Sequence, residues 1–81
     1  MNKAEIAGMI KAAIVDIAPD ADPEAIAVED DMREELDLDS MDFLNIIIAV
    51  AKKTGVDIPA SDYARVLTLE DMCEYIAARL K

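Results

Sequence analysis

The chain changes chemistry abruptly at one residue. Ser40 ends an acidic stretch and opens a nearly unbroken apolar run from Met41 to Ala51. Only Asp42 and Asn45 interrupt that run, so it is too long for an ordinary strand and has the length and hydroxyl start of a helix. From Asp20 to Asp42 there are eleven acids and one base, Arg33, whereas the remainder balances seven acids against seven bases. The whole net charge of -10 therefore surrounds this serine.

Three further segments carry helical spacing. Ile6, Ile10, Ala13, Ile14 and Ile17 fall on one face, with Asn2 and Glu5 placed as a cap pair and Pro19 as a stop, which predicts a helix over about residues 3–18. The helix opened by Asp39 or Ser40 is expected to end near Lys53, before Gly55. After Asp57-Ile58-Pro59 a short helix is expected over about residues 60–66, giving Tyr63 and Val66 to the core. The last starts at Thr68, where Thr68-Leu69-Glu70-Asp71 has the form of a capping box, and should bury Leu69, Met72, Cys73, Ile76 and Leu80. Between the first two helices runs a long loop, with a helical turn at Asp22-Pro23-Glu24 and with Ile26, Val28, Met32 and Leu36 as its anchors. The expected fold is all-α: a small four-helix bundle with a long first loop and a short third helix, forming a single domain over residues 1–81.

Composition narrows the function. With 54% apolar but only 4% aromatic residues, the core must be aliphatic and readily repacked. So acidic a surface repels phosphate backbones and anionic lipid, which argues against nucleic acid and membrane insertion, and attracts basic protein patches. The N-terminus lacks a signal-peptide layout and no apolar run could span a bilayer, so a cytoplasmic monomer is the expectation. Histidine is absent, and Cys73 is the only cysteine, read as a small buried hydrophobe. Neither catalysis by the chain alone nor a metal centre is expected. Asp37 and Asp39 imitate the start of a calcium loop, but Met41, Asp42 and Ile48 fall where an oxygen ligand, glycine and glutamate are needed.

At ~100° per residue, Phe43, Ile46, Ile47 and Val50 share one arc of the Ser40 helix, and Met41, Leu44, Ile48 and Ala51 share another. One arc suffices for a core. The second is either buried in a deeper bundle or exposed as a docking strip rimmed by acids, and periodicity leaves both open. Ser40 is likewise either a helix cap or a modified residue. With no histidine to activate it, its hydroxyl would be modified by a separate, basic enzyme attracted by the surrounding carboxylates.

Leu36-Asp37-Leu38-Asp39-Ser40-Met41 resembles the LGxDSL motif of acyl carrier proteins, and the succession of helices, acidic loop and Asp57-Ile58-Pro59 turn resembles that family over nearly the whole chain. The resemblance implies a carrier, not an enzyme. Ser40 would carry 4'-phosphopantetheine, delivered from coenzyme A by a separate Mg-dependent phosphopantetheinyl transferase. The arm would hold acyl intermediates as thioesters for loading and acyl-using enzymes of fatty acid, lipid or polyketide-type biosynthesis. Asp39, Met41, Asp42, Leu44 and Ile48 match the partner-binding positions, and Ile46, Ile47, Ile58 and Ala64 are candidates for lining a space for cargo. A peptidyl or aminoacyl carrier, and an unmodified acidic adaptor, are the alternatives. Asp37 stands where the motif has glycine, so the turn before Ser40 is where this chain is expected to differ. Asn45, Ala51 and Lys52 stand at positions commonly glutamate in fatty-acid carriers, which implies a specialised carrier with its own set of enzymes.

Overall fold

A computed structural model describes residues 2–80. Four α-helices, α1 (Lys3–Ile17), α2 (Met32–Glu35), α3 (Ser40–Thr54) and α4 (Leu69–Arg79), are joined by loops containing 3-10 segments at Pro23–Ala25 and Ala60–Arg65. No strand occurs among the described residues. The all-α expectation holds, with two refinements: α2 forms within the long loop, and the short helix expected over about residues 60–66 is wound as 3-10 and buries no residue completely.

Helix ends follow their local chemistry. Asn2 and Glu5 form a reciprocal capping box on α1, because a side-chain oxygen and a third-position carboxylate each satisfy an amide that the helix itself cannot. Thr68 accepts from the Asp71 amide at 3.0 Å to open α4. At the other end of α3, Gly55 takes a left-handed conformation, φ +77°, and returns its amide to Ala51, as the residue without a Cβ does most cheaply.

The core is a single aliphatic cluster. α1 packs against both α3 and α4, and Ile6, Ile10 and Ile14 share one buried cluster with Ile46, Ile47, Val50, Met72 and Ile76. Among the described residues no charged side chain is buried, so non-directional burial supplies most of the cohesion. Cys73 lies in this cluster, as expected, and burial pushes its thiol pKa up.

The long acidic loop is pinned differently from expectation. Met32 is buried and Ile26 and Leu36 are half-buried against the core, but Val28 is 50% exposed. Backbone bonds do its work instead: the Val28 carbonyl accepts from Glu70 at 2.9 Å, and the Leu67 carbonyl accepts from Met32 at 2.9 Å. These two bonds tie the loop to the start of α4, and Arg33 of α2 lies over the Phe43 ring of α3. Leu80, expected in the core, is half-buried at the end of α4. No helix among the described residues is long and apolar enough to cross a membrane.

Candidate functional site

Asp39 and Ser40 divide the two roles that the sequence left open. Asp39 is the cap: its carboxylate accepts from the Asp42 amide at 2.8 Å. Ser40 is therefore the first helical residue, exposed, and its hydroxyl makes no hydrogen bond among the described residues. A serine relieved of capping has its oxygen free for chemistry.

The turn that delivers Ser40 is unusual. Asp37 is the one non-glycine described residue with positive φ, +53°, so it holds the left-handed conformation that glycine adopts without strain. Leu38 then bonds back to the Arg33 carbonyl at 2.9 Å. The expected difference at this turn is thus one of residue and strain, with the backbone bent as a glycine would bend it.

α3 buries one arc and shows the other. Phe43, Ile46, Ile47 and Val50 are buried, while Met41 is 63% and Ile48 44% exposed, with Leu44 and Ala51 half-buried. The bundle is too shallow to cover the second arc. An apolar strip therefore runs roughly 10 Å along α3 from Met41 to Ile48, beginning beside Ser40 and flanked there by Asp39 and Asp42.

Two clefts border this strip on the side of the second 3-10 segment. One, of about 430 Å³, is lined by Ser40, Met41, Leu44, Ala64, Leu67 and, on its polar side, Arg33. The other, of about 610 Å³, is lined by Ile47, Ile48, Ile58, Pro59 and Lys52. Tyr63 lines both, its ring edge-on to Phe43 at 6.5 Å. Of the expected cargo-lining residues, Ile47 and Ile58 line the second cleft and Ala64 the first, whereas Ile46 lines neither and is core. Met41 and Leu44 share the cleft of Ser40, but Ile48 belongs to the second. Arg33 is the cleft residue that motif reading passed over, although its isolation among eleven acids was the available signal.

Comparison with known proteins bears on this geometry. Residues 4–76 match the family model described as a phosphopantetheine attachment site. An acyl carrier protein of Thermosynechococcus vestitus is 33% identical over 76 residues, covering 94% of this chain and 93% of that one. The chain belongs to the acyl carrier protein family. An acyl carrier protein of Campylobacter jejuni is 37% identical over 68 residues, 83% of this chain and 86% of that one; one from Campylobacter curvus is 33% identical over 55 residues. Membership makes this a carrier whose cofactor is covalent 4'-phosphopantetheine. The exposed, unbonded hydroxyl of Ser40 fits that group: it is reachable by a second protein and has room beside it. When attached, the group supplies a flexible arm and a thiol.

Proposed function

We propose that residues 1–81 act as one carrier domain in which Ser40 accepts the phosphopantetheine arm and presents acyl thioesters to separate enzymes. In the loading step the serine oxygen bonds to the pantetheine phosphorus of coenzyme A. The bond from that phosphorus to the bridging oxygen breaks, the adenosine bisphosphate leaves, and the serine proton passes to the transferase. The chain contributes an accessible nucleophile and a docking face, and has no histidine to take the proton. One observation carries the reading: a serine at the start of a helix already capped by its neighbour, exposed at an apolar cleft.

Asp39 and Asp42 would attract the basic rim of a partner, and Met41, Leu44 and Ile48 would supply the desolvated contact. Lys52 supports a specialised partner set. It makes no ion pair among the described residues, whereas neighbouring Lys53 is held by Asp16 at 3.4 Å. A partner that is basic along its whole docking groove would meet a positive charge there.

Incubation with coenzyme A and a promiscuous phosphopantetheinyl transferase, followed by intact-mass and peptide mapping, tests the proposal. A single arm on Ser40, lost in Ser40→Ala, is expected. Folded protein that stays unmodified, or an arm on another residue, refutes it.

A further inference from the structure

Arg33 is the only base in the segment from Asp20 to Asp42, and its position is built by the fold. Asp31 caps α2, accepting from the Arg33 amide at 2.9 Å and more loosely from the guanidinium at 3.4 Å. The guanidinium carbon lies 5.8 Å from the centre of the Phe43 ring, which holds the group over the beginning of α3 by cation–π attraction. With five N–H donors and one long bond to Asp31, most of its donors remain uncommitted. Its side chain is 45% exposed, and it lines the same cleft as Ser40, where every other lining residue is uncharged.

We infer that Arg33 is the receptor for the phosphodiester of the arm on Ser40, a role that rests on the attachment proposed above. Loading adds a negative charge to the most acidic part of the chain, beside Asp37, Asp39 and Asp42. Arg33 is the one cation among the described residues lining the cleft, and a planar guanidinium matches phosphate oxygens with two parallel donors. The arm would then leave Ser40 along the cleft wall and not directly into solvent. If Arg33 served only to neutralise Asp31 and cover Phe43, its removal would matter equally with and without the arm.

The experiment compares wild type and Arg33→Gln, each unloaded and fully loaded, with loading on Ser40 first established by mass. At low salt, loading is expected to lower the melting temperature of R33Q by about 2–6 °C more than that of wild type. The excess should fade in ~1 M salt, where charges are screened within about 3 Å. Arg33→Lys, retaining charge without the fork, should recover part of it. The phosphorus-31 resonance of the loaded protein should move in R33Q but not in Lys11→Gln, which removes a cation paired with Glu24 away from Ser40. In wild type, which requires no variant to fold, the Arg33 side-chain N–H resonance should shift on loading. Equal melting changes with unmoved phosphorus and Arg33 resonances overturn the inference. Failure of the mass gain at Ser40 instead overturns the attachment reading, and Arg33's role with it.

Discussion

Asp39 caps α3, and substitution can separate that cap from the recognition role proposed for its charge. Asp39→Ala removes the acceptor of the Asp42 amide, a 2.8 Å bond at the start of α3. Loss of such a cap costs about 1 kcal/mol, and loss of a carboxylate from the positive end of the helix dipole about 0.3–1 kcal/mol. Removing one acid from a crowded acidic segment returns part of this. The net loss of about 1–1.5 kcal/mol corresponds to a fall in melting temperature of roughly 5–10 °C for a domain of this size. Asp39→Asn keeps an equally good cap and loses only the charge, so its stability should stay within about 0.5 kcal/mol of wild type. Loading by the transferase should nevertheless slow several-fold in both variants, because both lose the carboxylate beside Ser40. Thermal melts and initial loading rates on the same preparations separate the two effects. If D39N loses as much stability as D39A, the cap argument is wrong; if both load at the wild-type rate, Asp39 does not meet the transferase.

Ile10 is wholly buried where α1 meets α3 and α4, so Ile10→Ala should cost about 2–5 kcal/mol in urea unfolding, a large share of the stability usual for so few residues. Met41→Ser and Ile48→Ser, on the exposed strip, should change stability by less than about 0.5 kcal/mol while weakening capture by loading enzymes in a surface-binding assay. Tyr75 donates its hydroxyl to Asp62 and is buried; both raise its pKa, and Arg79 opposes them. Its contribution is therefore intact below the ordinary tyrosine value of about 10 and lost as pH rises through its higher folded value. Ultraviolet titration should show Tyr75 ionising above that ordinary value, and Tyr75→Phe should abolish this part of the alkaline loss of stability.

The parts of the fold that were legible are those written within a few residues. The Asn2–Glu5 cap, the Gly55 stop and the buried arc from Phe43 to Val50 each depend on spacing along one helix, and each is present. Apolarity predicts burial for Val28, whereas the loop is held there through its carbonyl to Glu70, a long-range bond without a side-chain signature. The fate of Met41 and Ile48 required knowing how far the neighbouring helices reach. α2 leaves no periodic signal, because four residues are too few for one. Its placement is what brings Arg33 into the cleft with Ser40, so a motif centred on the serine could not reveal that neighbour.

The second 3-10 segment hides nothing completely and is fastened to α4 by Asp62 on Tyr75. Detaching it would expose little oily surface, so its amides should exchange with deuterium well before those of the three long helices. Outward movement of such a panel would have a modest cost and leave the scaffold behind it undisturbed.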